Sequence, residues 1–277
     1  MVISELLNYG QKALADIYID ANIIETYILL ADVLKKNRTY LLTHKNQKVS
    51  IENEYKFKEY IVNRKKNIPI AYITHKVFFM EFEFYIESGV LIPRGDSEIL
   101  IEQLLKLKDK SKVLDLCCGS GVLGITYALY FKNSIIDLVD ISDQCIEVST
   151  KNIDKYHLTN RVKTIRSDLF SNIVNTKYDL IISNPPYIME NEIENLDKDV
   201  KNYEPHIALN GGEDGLYFYR EIISNAKSYL NKLGVLALEI GFNQKEDVIN
   251  LLIFEGYTNI KTFKDYNKND RVIIANI

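Results

Sequence analysis

Apolar positions in the first part of the chain recur at three- and four-residue spacing. Leu6, Leu7, Gly10, Ala13, Leu14 and Ile17 would share one helix stripe, and Ile23, Ile24, Tyr27, Ile28, Ala31 and Leu34 repeat the pattern. Tyr55, Tyr60, Ile61 and Val62 suggest a third helix, and Arg64, Lys65 and Lys66 read as its solvated end. The texture changes at Val77. The run from Val77 to Pro93 is rich in aromatic and β-branched residues and carries a turn signal at Ser88-Gly89, which reads as a β-hairpin. Strands and helices then alternate. Strands are expected at Lys112–Leu116, Ser134–Val139, Arg161–Arg166, Tyr178–Ser183 and Gly234–Glu239, with two more ending the chain. Helices are expected at Ile99–Leu107, Val122–Phe131, Ser142–Tyr156, Leu216–Leu230 and Lys245–Glu255. Repeated βαβ units predict an α/β fold with a mostly parallel, seven-stranded sheet covered by helices on both faces. The expected division is a helical domain over 1–75, a hairpin linker over 76–92 and an α/β domain over 93–277.

Composition changes this picture little. The 277 residues are 47% hydrophobic and 26% charged, enough apolar material for a sizeable core. Lys and Arg number 34 against 38 Asp and Glu, a net charge of −4, so the strongly basic footprint of a nucleic-acid binder is absent and no stable nucleic-acid binding is expected. Cys117, Cys118 and Cys145 have neither disulfide-framework nor zinc-site spacing and read as free thiols in a reducing cytosol. The beginning of the chain lacks a signal-peptide pattern, and no apolar run approaches the ~18 residues that span a bilayer. A cytoplasmic chain with no membrane partner and no metal is expected, and nothing in the pattern demands a dimer, so a monomer is expected. His44 and His75 stand alone and read as surface polar residues.

Ligands of such sheets bind beyond the carboxyl ends of the strands. The first strand of the α/β domain ends in Asp115-Leu116-Cys117-Cys118-Gly119-Ser120-Gly121 and runs straight into a helix. Gly119 and Gly121 permit a sharp turn and close backbone approach. About 20 residues on, Asp140 ends the next strand, where a carboxylate can accept from both hydroxyls of a ribose. The third strand leads to Ser167-Asp168-Leu169, within reach of an adenine amino group. Glycine loop, ribose acid and adenine acid in this order describe a nucleoside cofactor without phosphates. The order resembles class I S-adenosylmethionine-dependent methyltransferases, whose Rossmann-like domain releases S-adenosylhomocysteine. The candidate cofactor-binding residues are Asp115, Cys117, Cys118, Gly119, Ser120, Gly121, Asp140, Ile141, Asp168, Leu169 and Asn184.

The fourth strand ends in Asn184-Pro185-Pro186-Tyr187. Pro185 has a carbonyl and no N–H, so the Asn184 side-chain oxygen and the Pro185 carbonyl offer two converging acceptors. A planar NH₂ group fits between them, and Tyr187 can stack on it. An amide or aromatic amine is a poor nucleophile because its lone pair is delocalised. Two acceptors on its hydrogens raise the electron density at nitrogen and aim the lone pair at a methyl donor. Asn184, Pro185, Pro186 and Tyr187 are thus the candidate catalytic and substrate-binding residues. The tetrapeptide does not separate adenine from glutamine.

The chain closely resembles the peptide chain release factor glutamine methyltransferases of the PrmC/HemK type over nearly its whole length. The resemblance is carried by Leu91-Ile92-Pro93-Arg94 with Glu98, the glycine loop, Val139 to Ser142, Ser167 to Phe170 and Ser183 to Ile188. It continues in Tyr203-Glu204-Pro205, Ala208-Leu209, Gly211-Gly212, Asp214-Gly215-Leu216, Tyr219-Arg220, Leu238 to Gly241, Gln244 and Asp270-Arg271-Val272. It implies methyl transfer to the side-chain amide of the glutamine in the Gly-Gly-Gln sequence of class 1 release factors, with the helical domain helping to recognise that partner. This chain departs from the family at Gly95-Asp96-Ser97, where Pro-Glu/Asp-Thr is usual, and at Cys117-Cys118, where the loop usually begins Gly-Thr or Cys-Thr. The alternatives are a ribosomal-protein glutamine methyltransferase, an adenine-N6 nucleic-acid methyltransferase, and, in another class, a non-catalytic binding module on the same fold. The last would be expected to have lost Asn184 or the glycine loop.

Overall fold

The computed structural model describes residues 1–15 and 22–277, so Ile17 of the first stripe lies outside the described residues. The chain divides into two compact units, Met1–Lys76 and Val77–Ile277. The first is helical: α1 (Ile3–Leu14), α2 (Asn22–Leu34), α3 (Arg38–Thr43), α4 (Ile51–Lys65) and α5 (Ile70–Thr74). Leu6, Leu14, Leu29, Leu30, Leu41, Phe57 and Ile61 form its core. On α2 the buried face is the opposite of the expected stripe. Thr26, Leu29, Leu30 and Val33 are buried, whereas Ile23, Ile24 and Ile28 are exposed. A helix apolar on nearly every side offers two stripes, and a close approach selects one: a Cβ at Gly10 would lie 2.7 Å from the Thr26 methyl. Likewise Tyr55 and Val62 of α4 are exposed, and Phe57 and Ile61 carry the packing. The short helices α3 and α5 fall below the length that periodicity resolves.

Arg64 corrects a second expectation. It is buried at 4% exposure, not solvated. Its Nε and Nη2 donate to the two Glu25 carboxylate oxygens at 2.8 and 2.9 Å, and its Nη1 donates to the Ile68 carbonyl at 3.1 Å. This fork joins α2 to α4. His44 is exposed and stacks on Tyr40, ring centroids 3.9 Å apart.

The second unit opens with a hairpin, β1 (Lys76–Phe79) and β2 (Phe82–Tyr85). The chain reverses at Met80-Glu81, with Met80 at φ 53°, and not at Ser88-Gly89. The Met80 N–H is held by Glu98 Oε1 at 2.7 Å, a contact from 18 residues away that no local signal announces. Then come α6 (Glu98–Leu105), β3 (Lys112–Leu116), α7 (Val122–Tyr130), β4 (Ile135–Asp140), α8 (Asp143–Lys155), β5 (Val162–Arg166) and β6 (Tyr178–Ser183). The chain ends with α9 (Lys198–Tyr203), α10 (Tyr217–Ala226), β7 (Leu230–Glu239), α11 (Lys245–Phe254), β8 (Thr258–Lys264) and β9 (Asp270–Asn276). The seven-stranded sheet has the order β5-β4-β3-β6-β7-β9-β8, parallel except for β9, which runs antiparallel to both neighbours. One departure is that α10 stops at Ala226 and β7 starts at Leu230, where helix was expected, because Leu230 pairs with Tyr178 before an irregularity in the register.

Apolar side chains fill both faces of the sheet. Val113, Leu138, Leu180, Ile182 and Ala237 pack on one side against α6 and α7, and Leu114, Ile181, Leu236 and Leu238 on the other against α10 and α11. No helix of the described residues is long and apolar enough to cross a membrane.

Arg64→Ala should strand Glu25 partly buried and destabilise the first unit by about 3–5 kcal/mol. The pair Arg64→Met with Glu25→Leu should recover most of that loss. Denaturant unfolding of the three variants checks both; an Arg64→Ala protein as stable as the unmodified chain would contradict the buried fork.

Candidate functional site

The sheet order reverses at β3, which has β4 on one side and β6 on the other. Above the carboxyl ends of these strands lies a cavity of about 280 Å³. Its floor is the turn from β3 into α7. Cys117, Gly119 and Gly121 all have positive φ, at 57°, 54° and 80°. At Gly119 a Cβ would meet nothing within 4 Å, so this backbone faces open space in the cavity it lines. At Gly121 a Cβ would lie 2.9 Å from Leu138 Cδ1, so that glycine is needed for packing under the turn. Cys117 holds a left-handed conformation without being glycine, which costs roughly 1–3 kcal/mol. Side-chain identity at this position therefore matters more than a loop used only through its backbone would suggest.

Asp140 closes the turn. Its Oδ2 accepts from Gly119 N–H at 2.9 Å and its Oδ1 from Ser142 N–H at 3.0 Å. Its backbone carbonyl accepts from Ser167 N–H at 2.9 Å, so one residue joins the loops after β3, β4 and β5. Ser142 caps α8, its Oγ accepting from Cys145 N–H at 3.4 Å. Burial raises the Asp140 pKa, and the N–H groups of Ser142 and Gly119 oppose the rise. Asp168 lines the cavity from the loop after β5, is exposed, and its carboxylate makes no hydrogen bond among the described residues.

The structure brings most of the expected residues together. Cys117, Cys118, Gly119, Ser120, Asp140, Ile141, Asp168, Leu169, Asn184 and Pro186 all line the cavity. Asp115, Gly121, Pro185 and Tyr187 do not. Asp115 is fully buried beneath the loop, with Oδ2 accepting from Gly124 N–H at 2.8 Å and Oδ1 without a partner among the described residues. Its place is under the glycine turn, holding the first turn of α7, and not in contact with a ligand. Burial pushes its pKa up to about 7. Burial also raises all three thiols, Cys145 to about 12, which disfavours the thiolate form that a nucleophile needs.

Asn184 follows β6, whose last residue, Ser183, hydrogen-bonds the Leu116 carbonyl of β3 at 2.8 Å. Asn184 Nδ2 donates to Ser97 Oγ at 3.3 Å. The Tyr187 carbonyl accepts from Gln244 Nε2 at 2.9 Å, and its hydroxyl accepts from Arg271 Nη1 at 3.5 Å. Tyr187 is thereby anchored beside the cavity, not within it.

The remaining walls come from residues for which the sequence offered no role. Leu91, Pro93, Arg94 and Ser97 form one side, and Pro205, Ile207, Ala208, Tyr217 and Phe218 another. An ion pair of Arg94 Nη2 with Glu204 Oε1 ties these two sides, and Glu204 Oε2 also accepts from Ile92 N–H at 3.2 Å. The two partners stand 110 residues apart. Only the presence of Arg94 and Glu204 among the family-like residues pointed to them.

An alternating sheet with a glycine turn, an acid at the end of β4 and an Asn-Pro-Pro-Tyr loop after β6 defines a methyltransferase of the Rossmann-like class. Its fold is shared by a Pyrococcus furiosus methyltransferase, at TM-score 0.55 and 17% identity over 79% of this chain and 96% of that one. It is shared too by the T. thermophilus 16S rRNA N2 G1207 methyltransferase, solved with AdoMet and guanosine, at TM-score 0.51 and 18% identity over 73% of this chain and 49% of that one. Residues 94–200 match the family described as methyltransferase small domain, and residues 5–74 match the PrmC N-terminal domain. The release factor glutamine methyltransferase of Clostridium acetobutylicum is 44% identical, over 91% of this chain and 90% of that protein. The chain belongs to the release factor glutamine methyltransferase family.

The two buried carboxylates Asp115 and Glu239, both pushed up to about 7, set a pH dependence of stability. A pKa raised by folding means that the folded state binds more protons over the interval, so stability is full below about pH 4 and falls as pH rises toward about 7. The unfolding midpoint should drop between about pH 5 and about pH 8. Asp115→Asn, which keeps an oxygen for the Gly124 N–H, should make that drop smaller. An unchanged drop would show that Asp115 ionises normally.

Proposed function

We propose that this protein transfers a methyl group from S-adenosylmethionine to the side-chain amide nitrogen of the glutamine in the Gly-Gly-Gln sequence of class 1 release factors. The observation that carries this reading is the position of Asn184. It lines the same cavity as Gly119, Asp140 and Asp168, so an acceptor for a planar NH₂ group stands next to a nucleoside-shaped site. Membership of the release factor glutamine methyltransferase family selects glutamine over adenine as the bearer of that group.

The residues present fit the cofactor. Each Asp140 oxygen already accepts one backbone N–H and retains a second lone-pair site, so the two can receive the two ribose hydroxyls. Asp168 is free to accept from an adenine amino group. Ile141, Leu169 and Phe218 offer apolar surface for the base, and the open space at Gly119 admits a close approach. When bound, S-adenosylmethionine supplies a methyl group made electrophilic by its sulfonium.

What the chain itself does is bind and aim. The Asn184 oxygen and the Pro185 carbonyl each accept one N–H of the substrate amide, which fixes its plane and turns the nitrogen lone pair toward the donor. Such positioning can supply ~7–11 kcal/mol of the barrier. No strong base is required at the nitrogen, because it becomes acidic once alkylated. Tyr187, held by Arg271 and Gln244, keeps the loop from drifting away from that geometry. A release-factor substrate goes with a cytoplasmic site of action, where three free thiols are also at home.

The direct test is mass spectrometry of a release factor incubated with the protein and S-adenosylmethionine: one methyl group on the Gly-Gly-Gln glutamine is expected, and label found only in nucleic acid would reject the reading. Glutamine→Glu in the release factor should abolish transfer, since a carboxylate has no N–H to offer. Asn184→Ala should bind S-adenosylmethionine nearly normally by calorimetry yet lose about 10²–10³ in turnover, the usual effect of deleting a preorganised partner at a reacting centre. Asp140→Ala should do the reverse: weakened cofactor binding by loss of two charged hydrogen bonds worth ~1.5–3 kcal/mol each at most. Unchanged affinity in a folded Asp140→Ala protein would remove the ribose assignment.

A further inference from the structure

Glu239 is the last residue of β7, and β7 lies parallel to β6 with Leu238 opposite Ser183. One residue further along both strands, Glu239 therefore lies beside Asn184. It is 2% exposed, and its Oε2 has no hydrogen-bond partner among the described residues. The Ser97 hydroxyl, the Asn184 amide and the Arg271 charge all act on the carboxylate in favour of its ionised form, and none of them satisfies Oε2. The Arg271 guanidinium is itself shared, with Nη2 3.2 Å from Asp265 Oδ2 and 3.6 Å from Asp96 Oδ2. A buried carboxylate with an unused oxygen is an expensive component of a core. An apolar residue at the end of this strand would be more stable, so what the carboxylate contributes is direction.

That direction can be followed atom by atom. Asn184 Nδ2 donates to Ser97 Oγ at 3.3 Å. A hydroxyl has one hydrogen, so Ser97, once it accepts from Asn184, has its own hydrogen left to give to Glu239. Burial works against ionisation of Glu239, whereas the Ser97 and Asn184 groups and the Arg271 charge favour it, and in that ionised form the carboxylate only accepts. With Glu239 ionised, every hydrogen in the chain Asn184–Ser97–Glu239 points toward it. The Asn184 NH₂ is drawn to this side, and its oxygen is left for the cavity. An amide is nearly isosteric with its own flipped form, and flipped it would present an NH₂ to the NH₂ of the substrate.

We propose that Glu239, acting through Ser97 and on Asn184 directly, is a positioning residue that sets the Asn184 amide with its oxygen toward the methyl-accepting nitrogen. This rests on the reading of Asn184 as an acceptor for the substrate amide. The same logic accounts for a serine at position 97, where the family-like pattern has threonine: the relay needs a hydroxyl, and either residue supplies one.

The test is a four-protein cycle on the full chain, read as kcat and KM with a release factor and as S-adenosylmethionine affinity by calorimetry. Glu239→Gln can donate as well as accept, so the amide of Asn184 loses its fixed sense; kcat should fall about tenfold with cofactor affinity unchanged. Asn184→Asp sets a second carboxylate against Glu239 and should be poorly active. Adding Glu239→Gln to Asn184→Asp supplies a donor where there was repulsion, and kcat should rise about tenfold over Asn184→Asp alone. The substitution thus changes sign with its background, which a purely structural residue would not produce. If Glu239→Gln lowers kcat equally in both backgrounds, or leaves the Asn184 protein unaffected, the proposal is wrong. Should the Glu239 variants not fold, Ser97→Ala carries the test: it removes the relay hydroxyl of the same chain, and an unchanged kcat there would equally refute it. An unmodified chain that does not methylate the release factor overturns the acceptor reading first, and this inference with it.

Discussion

The site depends on one topological fact: β3 is flanked by β4 and β6, and the connections on its two sides leave in opposite directions. Both sets of covering helices move away from the carboxyl end of β3, and a crevice is left there. Register then places the chemistry. Leu116 pairs with Val139 and with Ser183, Asp140 with Arg166, and Ser183 with Leu238. The residues just beyond these pairs are the glycine loop, Asp140 and its loop, Asp168, Asn184 and Glu239. They form one row along one edge of the sheet. Side chains alternate faces along a strand, so a one-residue slip of any of these strands would turn its candidate site residue into a core.

Putting polar groups at such an edge has an electrostatic consequence. Asp115, Asp140, Glu204 and Glu239 are all carboxylates that burial pushes toward protonation. The structure opposes this with different partners: backbone N–H groups at Asp115 and Asp140, and the Arg94 guanidinium at Glu204. Asp140 and Glu204 are the best satisfied, each with a donor on both oxygens. Asp115 and Glu239 each retain a partnerless oxygen. The network is thus complete at Asp140 and Glu204 and incomplete under the glycine turn, at Asp115, and behind Asn184, at Glu239.

The sheet was legible because buried parallel strands are short, continuous apolar runs with abrupt ends; Lys112–Leu116 and Tyr178–Ser183 are found as expected. The cavity floor was legible for a related reason, since glycines and acids at strand ends leave a local signature. Other parts had no such signature. The face of α2 is chosen by Gly10 on another helix, the hairpin turn is held by Glu98, and the buried state of Arg64 depends on Glu25. Between Pro186 and Leu216 the chain forms short polar helical turns, Glu190–Asn195, Lys198–Tyr203 and His206–Ala208, too brief for periodicity to appear. Pro205, Ile207 and Ala208 of the cavity wall come from this stretch, and Leu91, Pro93, Arg94 and Ser97 from residues 91–97; what joins them is an Arg94–Glu204 pair that spacing in the sequence cannot reveal.

That long excursion after β6 is nevertheless held down by backbone. Ile188 and Asn210 form a parallel bridge, with Ile188 N–H donating to Leu209 O at 2.9 Å and Gly211 N–H to Ile188 O at 2.8 Å. Gly211 sits so close that a Cβ would lie 2.7 Å from Tyr187 Cα. The Gln244 side chain then donates to both Tyr187 O and Gly215 O, at 2.9 and 3.1 Å, closing the excursion against the start of α11. A glutamine side chain brought in by another protein has several rotatable bonds, and ordering it is costly. If Asn184 and Pro185 accept from its amide as proposed, two acceptors fixed beforehand contribute most to such a substrate, because they need no ordering of their own when it arrives. The rigidity of Asn184 and Pro185 therefore comes from two directions: from β6 and the Glu239 edge behind them, and from the stitched loop in front.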